Sequence, residues 1–230
     1  MDDLREALLT RGACIVECAD LSPVPEDARH GLPRGIAIAV PLVTGIVSRI
    51  PGGPSKEYQD EYDRANALLD ELSGHAADLL VRRGALAVPQ AASHVGIDPA
   101  TLSTQLPHKT VARLAGVGWI GKCAVLVTPS HGAAIRLASV LTDADLPVGN
   151  PATESRCGDC TVCVDVCPGE AVTGTLWEPG MVREKLFDPF ACREGMKKRA
   201  AAAGSEHTLC GMCIASCPRT RGYLKRVGAI

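Results

Sequence analysis

Aromatic residues are scarce in this 230-residue chain: two Trp, three Tyr and two Phe make up only 3% of it. Its core must therefore be built mainly from Ala, Val, Leu and Ile. Long hydrophobic runs are missing too. No stretch of about 18 uninterrupted apolar residues exists, which excludes the usual signature of a membrane-spanning helix. Residues 1–10 are charged and helix-like rather than patterned as a secretory signal, so a cytoplasmic protein without a membrane partner is expected. A large excess of one charge is also lacking. The formal net charge is −2 and the pI is near 6.3, which argues against nucleic-acid affinity of the whole protein. The remaining composition, 46% hydrophobic and 22% charged, excludes wholesale disorder.

Cysteine is what the chain has in excess, with 11 copies. Cys14, Cys18 and Cys123 are scattered, and the rest crowd into residues 157–217. An odd total without a signal peptide reads as metal ligation in a reducing compartment, not as a disulfide framework. Cys157-x2-Cys160-x2-Cys163-x3-Cys167-Pro168 has the bacterial-ferredoxin spacing for a [4Fe–4S] cluster. Three thiolates two residues apart let one curled loop reach three iron corners. The fourth, beyond a short helical turn, points away toward a second cubane, and Pro168 ends that turn without leaving a backbone N–H to satisfy.

The second copy is Cys210-x2-Cys213-x3-Cys217-Pro218, with Cys192 upstream standing in for a missing early cysteine. Crossing of the motifs assigns Cys157, Cys160, Cys163 and Cys217 to the first cluster. It assigns Cys167, Cys192, Cys210 and Cys213 to the second. Two four-thiolate zinc sites are the structural alternative, although the x2-x2-x3-Pro run is less typical of zinc. Paired cubanes carry single electrons over short distances and do no substrate chemistry while fully Cys-ligated.

Along the chain, apolar spacing predicts a helix over residues 2–11, strands over 13–19 and 36–43, and a loop over 21–35. Pro51-Gly52-Gly53-Pro54 breaks the chain, and Ser55 can cap a long amphipathic helix over 56–83. A short strand is expected at 85–88 and a helix within 101–115, with Pro107 in its first turn. Residues 123–128 and 133–141 read as strands joined by a Pro129-Ser130-His131-Gly132 hairpin. Strands mixed with helices suggest an α+β layer domain over residues 1–150, followed by a cysteine-rich domain over 151–230. Residues 183–230 hold ten Lys or Arg against four Asp or Glu. That basic end can bind RNA or an acidic partner, or simply offset anionic thiolate clusters, which is the preferred reading.

The stretch His108-Lys109-Thr110-Val111-Ala112-Arg113-Leu114-Ala115-Gly116-Val117-Gly118-Trp119-Ile120-Gly121-Lys122 resembles the epoxyqueuosine reductase family, around the core Ala-Gly-x-Gly-Trp-Ile-Gly-Lys. Arg136-Leu137-Ala138-Ser139-Val140-Leu141-Thr142-Asp143 and the cysteine module follow in the family's order. The resemblance implies a nitroreductase-like, cobalamin-binding α/β domain followed by a ferredoxin-like domain with two [4Fe–4S] clusters. Reductive dehalogenases share this plan. It implies an oxidoreductase that takes electrons from an external low-potential donor and passes them through the clusters to a bound cobalamin. The cobalamin would then reduce a small-molecule or nucleotide-derived substrate. Cofactor contacts would fall at Gly118, Trp119, Gly121, Lys122, Cys123, Ser139 and Thr142. Gly118 and Gly121 would let the main chain approach a flat ligand, and Lys122 would donate to its rim. The alternatives are a tight turn for the glycines, a core position for Trp119 and a surface lysine.

This chain departs from the family pattern in several places. Where the family carries a catalytic Asp, residues 102–106 offer Ser, Thr and Gln but no carboxylate, and Asp98 lies in an unmatched setting. His108 and Lys109 are left as candidate proton donors. Cys123 replaces the family's Asn or His, and can approach a metal or sit in a strand. Cys14 and Cys18 read as core. The family's helical repeats are absent before Ile230, which leaves tRNA a doubtful substrate. An electron relay without turnover, and a flavin in place of cobalamin, stand as alternative readings.

Overall fold

A computed structural model describes residues 1–52, 55–92, 96–202, 204 and 209–230. The fold is mixed α/β and divides into two compact, discontinuous units. The first comprises Met1–Pro41, Arg64–Gly118 and Arg136–Ala152; the second comprises Leu42–Asp63, Trp119–Ile135 and Thr153–Ile230. The boundary expected at 150/151 lies close to Thr153, but two upstream segments also pack with the cysteine-rich residues.

In the first unit, a four-stranded sheet runs in the order β1-β2-β6-β3, with β1 Ile15–Asp20, β2 Arg34–Pro41, β3 Ala87–Gln90 and β6 Ile135–Thr142. The β1/β2 and β3/β6 pairs are antiparallel. Gly35 through Val40 are all buried, the unbroken apolar run expected of a central strand covered on both faces. β3 contains Pro89, which a ladder tolerates at an edge and not in the middle. Helix α1 (Asp2–Leu9) buries Leu4 and Leu8, one turn apart, and places Asp2 and Asp3 where its dipole favours negative charge. Helix α4 (His108–Leu114) packs on β1 and β2 through Val111, Ala112 and Leu114. It starts at His108, and Pro107 precedes it as the cap residue. This helix lies within the expected 101–115, and upstream of it Asp98 bridges Ser103 in a turn.

Helix α3 (Lys56–Arg82) follows the expected stripe: Tyr58, Ala65, Leu69, Leu72, Ala76 and Leu80 are buried at spacings of three and four. Ser55 Oγ accepts the Tyr58 N–H at 3.3 Å, the cap anticipated for it. Gly53 and Pro54, part of the expected break, lie outside the described residues.

The second unit contains α2 (Thr44–Arg49), the two-residue strands β4 (Trp119–Ile120) and β5 (Leu126–Val127), α5 (Val162–Asp165), α6 (Pro189–Ala202), α7 (Met212–Ala215) and α8 (Pro218–Arg226). The hairpin joins β4 to β5, with Trp119 opposite Val127 and Ile120 opposite Leu126. The expected β5–β6 hairpin is therefore replaced. Thr128 and Gly132 close only an isolated bridge, and β6 goes to the other sheet. Within α8, the buried Thr220 hydroxyl accepts the Ala133 N–H at 2.9 Å, tying the helix to the residues after that turn. Among the described residues, no helix is long and apolar enough to cross a membrane.

Candidate metal centre

The Gly-Trp-Ile-Gly-Lys stretch is a hairpin tip. Gly121 N–H donates to the Val125 carbonyl at 2.9 Å and Ala124 N–H donates to the Gly121 carbonyl at 2.8 Å. That tight return puts Lys122 and Cys123 at the end of a buried two-stranded ribbon. A Cβ at Gly121 would meet Val127 Cγ2 at 3.0 Å, so this glycine serves the hairpin's own packing. Trp119, Gly121, Lys122 and Cys123 line a cavity of about 360 Å³ together with Cys157, Cys160, Cys163, Cys213 and Cys217. All four thiols of the first predicted cluster thus face the same space.

The other thiols form a second neighbourhood. Cys192 lies within electrostatic reach of Cys167 and Cys210, and its thiol is pushed up to about 11, chiefly by burial. Cys213, assigned with them by motif crossing, also lines the cavity of the first group. Cys123 is hydrogen-bonded to both Cys163 and Cys213; the Cys163 bond lowers its thiol's pKa, but the Cys213 contact and burial outweigh it and hold the thiol well above the ordinary range. Its position touches members of both thiol sets. Among the described residues, no three His, Cys, Asp or Glu side chains form a ready-made site for a single ion.

Two further features bear on what this cavity holds. Lys122 is only 6% exposed, and a buried ammonium requires a neighbouring negative charge. It acts electrostatically on Cys163, so a thiolate-ligated anion would supply that charge. Trp119 is 3% exposed, and its Nε1 has no hydrogen-bond partner among the described residues. Six soft thiols around a space, a buried cation and an unanswered N–H together fit an anionic, sulfur-rich cluster. Backbone donors add to this. Arg219 and Thr220 N–H bond to Cys217 sulfur at the start of α8, partly offsetting the burial that raises its thiol. Ala171 N–H donates to Cys167 Sγ at 3.3 Å.

The remaining predicted residues lie elsewhere. Gly118 is buried at the end of a segment of the first unit. Thr142 is fully buried, and its hydroxyl donates to the Leu86 carbonyl at 2.7 Å. His108 Nε2 donates to the Ala91 carbonyl at 2.9 Å, so in the neutral ring Nδ1 accepts the Ser139 hydroxyl at 3.0 Å. Ser139 and Thr142 are thereby committed to the first unit's own bonding. Neither unit gathers all seven predicted cofactor residues into one cavity. Lys109 sits beside His108 in the first turn of α4. Cys18 is buried in β1 and pushed up to about 11, and Cys14 is pushed up to about 12, both chiefly by desolvation. A second cavity, of about 550 Å³, is lined by His30, Gln90, Asp98 and residues 103–106. Asp98 there is occupied by the Ala100 N–H and the Thr101 hydroxyl.

Burial lowers the pKa of His108 below its ordinary 6.5. Folding thus favours the neutral ring, and its stabilisation is complete above about pH 6.5 and lost as pH falls through the folded-state value. An NMR titration should place His108 below 6.5; a value at or above 6.5 would contradict this assignment of its bonding.

Sequence reasoning missed Arg156 and Arg219, whose guanidiniums lie 5.9 and 5.6 Å from the Trp119 ring centroid. Each lies within two residues of a thiol of the first group in sequence, a signal available but unused. It also missed the approach of Gly169 to Gly195, which lets α6 lie against the turn after Cys167.

No protein-family model matches the chain. Its fold is that of epoxyqueuosine reductases and reductive dehalogenases. A crystal structure of epoxyqueuosine reductase with a tRNA-Tyr epoxyqueuosine-modified stem loop superposes with a TM-score of 0.64 at 18% identity, over 96% of this chain and 65% of that one. The catabolic reductive dehalogenase NpRdhA, in complex with 3-bromo-4-hydroxybenzoic acid, gives 0.72 at 17% identity, over 94% and 32%. By sequence, the chain is similar to epoxyqueuosine reductases over about half of its length. It is 46% identical over 122 residues to the enzyme of Synechococcus sp. (strain RCC307), covering 50% of this chain and 35% of that protein. It is 31% identical over 121 residues to that of Bacillus anthracis, covering 51% and 30%. The chain spans about a third of the length of these curated relatives. The resemblance read from the Gly-Trp-Ile-Gly-Lys stretch is thereby shown. The doubt about tRNA finds no support, since a matched structure holds a tRNA stem loop. Nor does the flavin alternative, whereas a matched reductive dehalogenase, with a TM-score of 0.60, is described as B12-dependent.

Proposed function

We propose that this chain is an iron–sulfur reductase of the epoxyqueuosine reductase kind, with two [4Fe–4S] clusters and a bound cobalamin, acting on a nucleotide-derived or small-molecule substrate. The observation that carries this reading is the placement of Cys157, Cys160, Cys163 and Cys217, from two separate motifs, around one cavity capped by the Gly-Trp-Ile-Gly-Lys hairpin. When bound, cobalamin would supply the low-potential reducing chemistry, and the clusters its electrons.

The protein's own part is electrostatic and positional. Lys122 and the backbone N–H groups on Cys217 and Cys167 would stabilise negative charge on the sulfurs. Trp119 and Val127 are buried and give the cavity that the thiols line an apolar wall. Gly118, Trp119, Gly121, Lys122 and Cys123 are the residues proposed to meet the cobalamin. A relay without cobalamin is favoured by one observation, the commitment of the Ser139 and Thr142 hydroxyls to internal partners.

Equilibrium dialysis of the anaerobic, cluster-loaded protein against cobalamin separates the two. Saturable uptake of about one equivalent is expected; a cluster-loaded protein that takes up none would overturn the reductase reading in favour of the relay.

A further inference from the structure

The Trp119 indole is a donor with no acceptor position of its own. Left unanswered in a buried place, such an N–H is destabilising. Among the described residues, four buried side-chain atoms lack partners: Arg34 Nε, Ser155 Oγ, Arg199 Nε and Trp119 Nε1. Of their residues, only Trp119 lines the cavity of the first thiol group. Its ring is held by the guanidiniums of Arg156 and Arg219, at 5.9 and 5.6 Å. Arg156 directly precedes Cys157, and Arg219 follows Cys217-Pro218. The indole is therefore indexed to two thiols that come from opposite ends of the cysteine-rich segment.

We propose that the Trp119 N–H donates a hydrogen bond to a sulfur of the first cluster, and that this bond raises that cluster's reduction potential relative to the second. The inference rests on the iron–sulfur reading of the site. A hydrogen bond to sulfur withdraws electron density and favours the more negative, reduced cluster. The two stacked guanidiniums act in the same direction and keep the ring in place. Trp119 is thus a positioning and tuning residue rather than a catalytic one.

The test is an EPR-monitored redox titration of cluster-loaded wild type, Trp119→Phe and Trp177→Phe. Phe keeps a ring for the arginines and loses the N–H. The first cluster of Trp119→Phe should shift to a more negative midpoint, with the second unmoved and Trp177→Phe indistinguishable from wild type. In a Trp177→Phe background labelled with 15N-indole, the reduced first cluster should show a hyperfine coupling to the Trp119 nitrogen. Equal midpoints in a variant that retains full iron, or no such coupling, would overturn the inference. Wild type that binds no iron and sulfide would instead sink the iron–sulfur reading beneath it.

Discussion

Replacing Cys217 with alanine should remove the first cluster and spare the second, cutting iron per chain by about half. In sequence Cys217 belongs with Cys210 and Cys213, and a motif-by-motif reading would have all three share one site. The structure places it with Cys157 and Cys160, close enough to act on each other electrostatically, and on the same cavity as Cys163. Cys217→Ala should therefore leave the same residual EPR spectrum as Cys160→Ala. A residual spectrum matching that of Cys210→Ala would contradict the crossed arrangement. Loss of all iron in both variants would show the sites to be coupled through folding.

A second large effect is expected from Gly195→Ala in α6. At an unconstrained helix position this change would stabilise by about 1 kcal/mol. Here the new Cβ would lie 2.7 and 2.8 Å from Gly169 N and Cα, against backbone that cannot rotate away. Overpacking of that kind costs about 1–3 kcal/mol and outweighs the gain in propensity. Relief requires α6 to move off the Cys167-Pro168-Gly169 turn, carrying Cys192 away from Cys167. The variant should lose the second cluster, keep the first, and melt at a lower temperature. Full iron content with a raised melting temperature would show that the close approach is not needed.

Elements with many periods were legible in the sequence. The stripe of α3, the Leu4/Leu8 pair of α1 and the apolar run of β2 each repeat often enough to fix both type and face. The β4–β5 hairpin was not, because two residues per strand carry no period. The Pro129-Ser130-His131-Gly132 turn gave a stronger hairpin signal one connection too late. Helix α6 was hidden for a related reason: its sequence Pro189-Phe190-Ala191-Cys192-Arg193-Glu194-Gly195 has no apolar stripe, and its fit depends on two glycines meeting.

The candidate site divides along the same line. Cysteine spacing is a local signal, and it singled out the thiols that ring the cavity. The position of Cys123 against Cys163 and Cys213, and the stacking of Arg156 and Arg219 on Trp119, come from distant segments and leave no spacing to read. Ser139 and Thr142 show the converse. Their place in a family-like stretch suggested ligand contacts, while burial in β6 turned both hydroxyls to internal bonds.

The proposed function requires electrons to pass through thiol-held clusters to a bound cobalamin. Its most direct test is low-temperature EPR of the anaerobic, cluster-loaded protein mixed with cob(II)alamin and then reduced. The account predicts a saturable change in the cobalt signal on binding, followed by its loss on reduction in wild type but not in Cys217→Ala. A cobalt signal unchanged by the protein, with the cluster signals intact, would contradict it.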